Sequence, residues 1–218
     1  GEEIIAAADP SPDGDCILVN LIQRPFSYLV PYRDFPQSFE IWNKDGRLVR
    51  KIADIPLAED VPPGYDAVRR GPRDFTWRSD APATLYWAEA QDGGDPAREA
   101  EIRDRVYCLT VPFIGEAQKG PALKYRFSHI QWATGSLAMV NQFWWKTRQV
   151  RVERFEPDAL DKPMAEIFSY SSEDRYNDPG RFTAMIGYEW TSVPGGNNLH
   201  RNVLFRDGKD KADQVFPF

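Results

Sequence analysis

Short apolar runs alternate with polar breaks along the whole chain. No window of about 11 to 18 residues shows the i, i+3, i+4, i+7 apolar spacing of an amphipathic helix. The runs are rich in Val, Ile, Tyr, Phe and Trp, and clusters of Pro, Gly, Asp and Asn separate them. The pattern therefore predicts an all-β fold built from many short strands.

One hairpin is predicted from SFEIWNKDGRLVRKIADI. Strands Phe39–Trp42 and Leu48–Ala53 flank a turn centred on Lys44-Asp45-Gly46, since Asp-Gly between alternating runs favours a tight turn. In RVYCLTVPF both alternating sets of side chains are largely apolar, which predicts a strand buried between two layers. In QVRVERF, Arg151 and Glu153 alternate with two valines, so we expect a strand with one solvent-exposed face.

Three phrases share one layout: DGDCILVNLI, SDAPATLYWAEA and TGSLAMVNQFWW each place a polar turn before a strand. A second strand follows each phrase (FEIW, VYCLTV, QVRVERF), and then a third (LVRKIADI, ALKYRF, MAEIFSY). Units of about four strands predict a partial β-propeller of about three to four four-stranded antiparallel blades. The approximate units are 9–60, 70–126, 127–176 and a partial unit 180–218. A non-repeating sandwich or barrel is the alternative.

The Trp77-x-x-Asp80 turn is expected to join the innermost strand of a blade to the next strand outward. Asp80 would bond downstream backbone N–H groups, as Asp does in tight turns. The Trp would pack between adjacent blades.

Composition excludes several function classes. Lys and Arg number 27 and Asp and Glu number 33, which gives a net charge of −6 and argues against nucleic-acid binding. No run approaches the roughly 18 apolar residues of a membrane span. The N-terminus lacks the pattern of a signal peptide and begins with Gly, so we expect a piece of a longer, soluble protein. The compartment stays open between cytoplasmic and periplasmic or secreted.

No cofactor or metal site is predicted. His129 lies in the strand-like FSHIQW and His200 is placed in the polar loop GGNNLHRN, without metal-ligand spacing to each other or to a Cys. Cys16 and Cys108 lie in strand-like runs and are interpreted as buried free thiols, with a disulfide or reactive thiol as the alternative. GGNN lacks the Lys-Ser/Thr and helix of a phosphate loop, and DGGDP lacks the ligand register of a calcium loop.

Catalytic residues are also not predicted. A Gly-x-Ser-x-Gly nucleophile motif is missing from the sequence. The acid-rich stretch from Ala88 to Asp104 is interpreted as a solvated face of a long loop rather than an acid/base pair, and the polar stretch Ser171–Phe182 as an inter-blade loop.

The most unusual local chemistry is NQFWWKTRQVR. Trp145, Lys146 and Arg148 follow one another at the end of a predicted inner strand, where they could present an indole and two cations toward a central channel. Such a group could hold a carboxylate, because the Arg fork gives paired N–H bonds. These three residues are the candidate substrate-facing residues. The alternative is blade packing by the Trp pair with solvated cations.

Three long strings now suggest a family: Lys51–Pro96, FWWKTRQVR and SSEDRYNDPG. They resemble the propeller region of glutamyl endopeptidase-like members of the prolyl oligopeptidase family, and the resemblance runs from about Asp9 to Gly180. It implies a serine peptidase whose propeller caps a C-terminal α/β-hydrolase domain carrying a Ser–Asp–His triad. That domain is absent from this sequence, so no catalytic residue carries over, and the chain departs from the family in being truncated at both ends of the propeller.

The resemblance implies a non-catalytic propeller segment that restricts access of peptide substrate to the missing hydrolase domain. The alternative is a free-standing propeller that binds a protein or glycan through aromatic loops. In both cases an incomplete propeller exposes strand edges. We therefore expect that a homodimer could cover these open edges.

Overall fold

The structure is a computed structural model and describes residues 4–61, 64–173, 186–192 and 199–205. The chain divides into two compact units, Gly1–Ser172 and Glu173–Phe218. The first unit contains twelve strands: β1 (Ile4–Pro10), β2 (Cys16–Ile22), β3 (Gln37–Asn43), β4 (Leu48–Ile55), β5 (Pro72–Trp77), β6 (Thr84–Ala90), β7 (Asp104–Thr110), β8 (Gln118–Leu123), β9 (Arg126–Thr134), β10 (Leu137–Trp144), β11 (Gln149–Phe155) and β12 (Ala165–Ser171). Helical geometry in the described residues is limited to two short 3-10 helices, Tyr32–Asp34 and Trp145–Thr147.

The twelve strands form three four-stranded antiparallel sheets, each of which follows chain order. Sheet 1 is β1-β2-β3-β4, sheet 2 is β5-β6-β7-β8 and sheet 3 is β9-β10-β11-β12. Successive four-stranded meanders are the blades of a partial propeller, so the predicted fold class is confirmed. In the second unit, the described residues form an antiparallel hairpin of β13 (Ile186–Ser192) and β14 (Leu199–Phe205).

Two hydrophobic cores join the three sheets. The first lies between sheets 1 and 2 and includes Leu18, Ile41 and Leu85. The second lies between sheets 2 and 3 and includes Val106 and Val140. Of these five side chains, four are fully buried and Leu18 is 6% exposed, so each contributes about 1.5–3 kcal/mol of burial free energy.

Strand β7 contributes side chains to both cores. Val106 and Cys108 face sheet 3, whereas Tyr107 and Leu109 face sheet 1. The two apolar faces of RVYCLTV therefore correspond to the two layers that cover the strand, as the sequence predicts. Cys108 and Cys16 are both buried and unbonded, which confirms the interpretation as free thiols.

Trp77 ends β5, and the turn that follows leads into β6. Its indole packs in the core between sheets 1 and 2 and donates from Nε1 to the carbonyl of Asp9 at 3.0 Å. The expectation that this Trp packs between blades is thus correct. The carboxylate of Asp80, however, accepts from Nε and Nη2 of Arg78, both at 2.8 Å, because Arg78 is buried and needs a counter-ion.

Three local interpretations of the sequence are wrong. ALKYRF is not one strand: Ala122 and Leu123 end β8, and Arg126 and Phe127 begin β9. His200 lies in β14 rather than in a loop. Glu153 is buried, and its carboxylate accepts a hydrogen bond from Nε2 of Gln142 at 2.6 Å.

Candidate functional site

Loops at one end of the three sheets carry the candidate site. In a meander, the connection after the second strand and the exit from the fourth strand emerge at the same end. Here that end gathers loops 23–36, 91–103 and 145–148 and the connectors 56–71 and 124–125. Arg69 ties the first connector to sheet 1 by donating to the carbonyls of Arg33 (3.0 Å) and Pro56 (2.9 Å). We call this surface the loop end.

The loop end presents large apolar side chains to solvent. Tyr28, Leu29 and Tyr32 in loop 23–36 are 108%, 82% and 68% exposed, and Tyr65 in the first connector is 80% exposed. Trp145 is 37% exposed. Exposed aromatic side chains grouped on one surface are typical of interaction sites.

The three candidate residues lie together in the 3-10 helix and the residue that follows it. Trp145 begins the helix, and Arg148 adopts the left-handed conformation (φ 57°) directly after it. The Arg148 guanidinium lies 3.8 Å above the Trp145 ring and donates to the Trp145 carbonyl at 3.1 Å. Lys146 is exposed. The structure therefore brings an indole and two cations to one surface.

The two adjacent tryptophans have different roles. Trp144 is buried, and the Arg103 guanidinium stacks 4.5 Å from its ring. Trp145 points to the loop end and stacks on Tyr65, with ring centroids 4.4 Å apart. The two residues belong to different elements, because Trp144 ends β10 and Trp145 begins the 3-10 helix that follows it.

Sequence reasoning missed Tyr65 and Asp66. Asp66 is buried, and its two carboxylate oxygens accept from the backbone N–H of Trp145 (2.7 Å) and of Lys146 (3.0 Å). The pairs are 79 and 80 positions apart in the chain, so no local pattern connects them. The only available signal is the Pro-Gly turn of VPPGYD, which marks a shaped connector.

A buried ion network supports this end of the sheets. Arg126 donates to Asp104 Oδ1 (2.9 Å), to Asp92 Oδ2 (2.8 Å) and to the carbonyl of Asp66 (2.8 Å). Arg73 also pairs with Asp104. The network joins β5, β7, β9, loop 91–103 and the first connector. Removing one partner of such a buried pair typically costs about 3–5 kcal/mol.

The network corrects the interpretation of the acid-rich stretch. Asp92 is 4% exposed and Asp104 is fully buried, whereas Glu99 and Glu101 are exposed. Burial alone would raise the pKa of Asp92, but hydrogen bonds from Arg126 and Arg103 hold it below its usual value. Only part of this stretch is thus a solvated face, because two of its carboxylates serve as counter-ions to buried arginines.

A cleft of about 490 Å³ opens between sheets 2 and 3 at the loop end. Its walls include Arg103, Lys124, Tyr125, Trp144, Arg151 and Glu153. Arg151 pairs with Glu153 (2.7 Å) and Glu166 (2.6 Å), so its charge is balanced within the protein. The cleft is consequently polar and aromatic rather than strongly cationic.

His129 is a surface residue. It lies exposed on β9, where its ring nitrogens contact Ser128 (3.2 Å) and Gln131 (3.5 Å). In the described residues, no three His, Cys, Asp or Glu side chains are grouped so that they could hold a metal ion. Within the same part of the chain, no helix has the length and apolar character needed to cross a membrane.

Comparison with known proteins gives two kinds of match. A family model described as "Protein of unknown function (DUF3604)" matches residues 138–218. The protein named "Probable glutamyl endopeptidase, chloroplastic" of Oryza sativa subsp. japonica is 42% identical over 191 residues, which cover 85% of this chain and 20% of that protein. The protein of the same name from Arabidopsis thaliana is 42% identical over 179 residues, which cover 81% of this chain and 18% of that protein. The chain thus spans about a fifth of the length of these relatives.

Proposed function

We propose that this chain is the propeller segment of a longer serine peptidase of the prolyl oligopeptidase family, related to glutamyl endopeptidases. In that protein it selects peptide substrates, and a hydrolase domain outside this sequence cleaves them. The observation that carries the proposal is the 42% identity over most of this chain to proteins more than four times its length that bear that name. The lack of a Gly-x-Ser-x-Gly motif in the sequence agrees with a non-catalytic role.

The premise of a serine peptidase has a direct test. The full-length polypeptide should hydrolyse peptides and react with a fluorophosphonate probe, and the 218-residue chain should do neither. Hydrolysis by the isolated chain would refute the assignment of a non-catalytic role.

Substrate selection is assigned to Trp145, Lys146 and Arg148. Lys146 lies in the 3-10 helix at the loop end, and Arg148, the residue after that helix, is held over the indole of Trp145. A peptide carboxylate would accept charge-assisted hydrogen bonds from these side chains. Acidic peptides should therefore bind better than neutral ones.

The test is the double variant Lys146→Ala/Arg148→Ala in the full-length polypeptide. We expect KM for an acidic peptide to rise about 5- to 10-fold, because the peptide carboxylate loses its charge-assisted hydrogen bonds to the two side chains. We expect kcat to change by less than about 2-fold, because these bonds contribute to binding rather than to the chemical step. Steady-state kinetics with matched acidic and neutral peptides measure both effects.

A matched control removes two positive charges from the opposite end of the sheets. Lys44 and Arg47 are exposed in the β3–β4 turn, and Lys44→Ala/Arg47→Ala should leave KM unchanged. An equal rise in KM for the control, or no rise for the test variant, would contradict the assigned contact residues.

A free-standing module that binds a protein or glycan is the second candidate. The observation in its favour is the exposure of Tyr28, Leu29 and Tyr32 on one loop. This function would be supported by binding of the isolated chain to a partner together with a full-length polypeptide that lacks peptidase activity.

A further inference from the structure

The segment Tyr65–Asp66 belongs to the connector between sheets 1 and 2, yet it contacts the 3-10 helix of sheet 3. The connector therefore crosses sheet 2 at the loop end. Val68 fixes it there by donating its backbone N–H to the carbonyl of Gly94 at 3.1 Å. Arg126 adds a second anchor through its hydrogen bond to the Asp66 carbonyl.

Asp66 shapes the helix start through both carboxylate oxygens. The first N–H groups of a helix have no partner within the helix, and here one carboxylate accepts from two of them. Because Asp66 is 6% exposed, water does not compete for these oxygens as it would at the surface. The arrangement fixes the backbone from which the side chains of Trp145 and Lys146 project.

Tyr65 extends the exposed surface beside that helix. Its ring stacks on Trp145 at an interplanar angle of 29°, while 80% of the residue is open to solvent. Arg148 and Phe143 also contact the Trp145 ring. The indole thus contacts three neighbouring side chains and is 37% exposed, and Tyr65 is the aromatic side chain of the stack that offers most surface to a ligand.

We propose that Asp66 is a positioning residue that holds the 3-10 helix carrying Trp145 and Lys146, and that Tyr65 is a further contact residue for the bound peptide. This inference rests on the proposed function of the loop end. Asp66 acts through the backbone of the helix and does not touch the peptide. Tyr65 packs its ring against the peptide chain next to the acidic side chain.

The experiment compares Asp66→Asn with Asp45→Asn in the full-length polypeptide. The amide of the Asp66→Asn variant keeps one acceptor oxygen but replaces the second with an NH₂ group, which cannot accept a hydrogen bond. One backbone N–H group at the helix start therefore loses its acceptor, and the helix start loosens. Asp45 is exposed in the β3–β4 turn, so Asp45→Asn makes the same charge change at the opposite end. If Asp66→Asn does not fold, Asp66→Glu retains the charge and displaces the oxygens by one methylene.

Two readouts separate positioning from general stability. Hydrogen exchange of the backbone amides of Trp145 and Lys146, followed by mass spectrometry of a peptide spanning 143–149, should accelerate by about 10-fold or more in Asp66→Asn. KM for an acidic peptide should rise about 3- to 10-fold, with kcat changed by less than about 2-fold. Asp45→Asn should leave both readouts as in the wild type.

Tyr65 is tested by ring removal and ring retention. Tyr65→Ala should raise KM about 3- to 5-fold, and Tyr65→Phe should stay within about 2-fold of the wild type, since an aromatic ring contributes through stacking area. An unchanged KM in Tyr65→Ala overturns the contact role of this residue.

The outcomes distinguish this inference from the function on which it rests. Faster exchange with a raised KM supports both. If Lys146→Ala/Arg148→Ala raises KM but Asp66→Asn changes neither readout, the positioning role is overturned and the proposed function stands. If exchange accelerates in Asp66→Asn while KM stays constant in every variant, the helix does not contact the peptide, and both proposals fail.

Discussion

Asp92 is a residue whose chemistry depends on partners far along the chain. Its side chain is fully buried, and it accepts from Arg103 at 3.0 Å and from Arg126 at 2.8 Å. These hydrogen bonds favour the carboxylate form and lower its pKa against the opposing effect of burial. Asp80 has a lowered pKa for a similar reason, chiefly the hydrogen bond from Arg78.

A lowered pKa in the folded state predicts loss of stability in acid. As the pH falls, the unfolded chain, with an Asp pKa of about 3.9, binds protons before the folded protein does. The free energy of unfolding should therefore hold above about pH 4 and decline as the pH falls through the folded-state pKa of Asp92. Urea denaturation at a series of pH values measures this.

Asp92→Asn isolates the contribution of this residue. The variant should be about 2–4 kcal/mol less stable at pH 7, because Arg126 and Arg103 lose a buried counter-ion, and its decline below about pH 4 should be shallower. An acid decline equal to that of the wild type would show that other carboxylates cause it. Asp45→Asn serves as the exposed control.

The sequence predicted the candidate site in part. Trp145, Lys146 and Arg148 could be grouped because they are nearly adjacent in the chain. Tyr65 and Asp66 could not, because only the folded connector brings them across sheet 2 to the same helix. The buried charges of Asp92 and Asp104 were likewise invisible, since their shared partner Arg126 is 34 and 22 positions away from them, respectively.

At the scale of elements, the connectors rather than the strands require particular residues at particular positions. Gly94 has a φ of +79°, and a Cβ at this position would lie 2.0 Å from the carbonyl oxygen of Val68. Loop 91–103 and the first connector can therefore approach each other only with Gly at this position. Gly46 has a similar φ of +77°, but a Cβ there would have no neighbour within 4 Å.

This pair of glycines gives a matched prediction. Gly46→Ala should lower the free energy of unfolding by about 1 kcal/mol, the cost of the left-handed conformation for a residue with a Cβ. Gly94→Ala should cost about 2–4 kcal/mol, because the backbone of Val68 must also move. Urea denaturation followed by circular dichroism measures both, and equal losses would show that the close approach to Val68 is not needed for stability.

The alternation of apolar and polar residues predicted most of the strands of this fold. The Asp-Gly hairpin lies where the sequence placed it, with β3 and β4 on either side of Gly46. The two-sided apolar pattern of β7 also corresponds to its two layers. β1 was not foreseen, because all of its seven residues are exposed and its run IIAAADP lacks alternation. The break between β8 and β9 was missed since Ala122–Phe127 reads as one continuous run.

At the scale of the whole molecule, stacking of the three sheets leaves apolar side chains at their edges. β1 pairs only with β2 in its sheet, and its Ile4 and Ile5 are 50% and 58% exposed. On β12, which among the described strands pairs only with β11, Ile167 and Tyr170 are 44% and 47% exposed. Unpaired N–H and C=O groups along such strands favour pairing with another chain.

We therefore predict that the isolated 218-residue chain self-associates through these edges. Light scattering coupled to size exclusion should give a mass of twice 25.0 kDa at high protein concentration and a decrease toward the monomer on dilution. Ile4→Lys/Ile5→Lys should shift the equilibrium to the monomer, because charges on an edge strand oppose edge-to-edge pairing. Ile114→Lys adds a charge at an exposed position in the β7–β8 turn and should leave the mass unchanged. A chain that stays monomeric at every concentration contradicts edge pairing. Dissociation of the dimer by Ile114→Lys would show that the dimer contact lies at the β7–β8 turn rather than along β1.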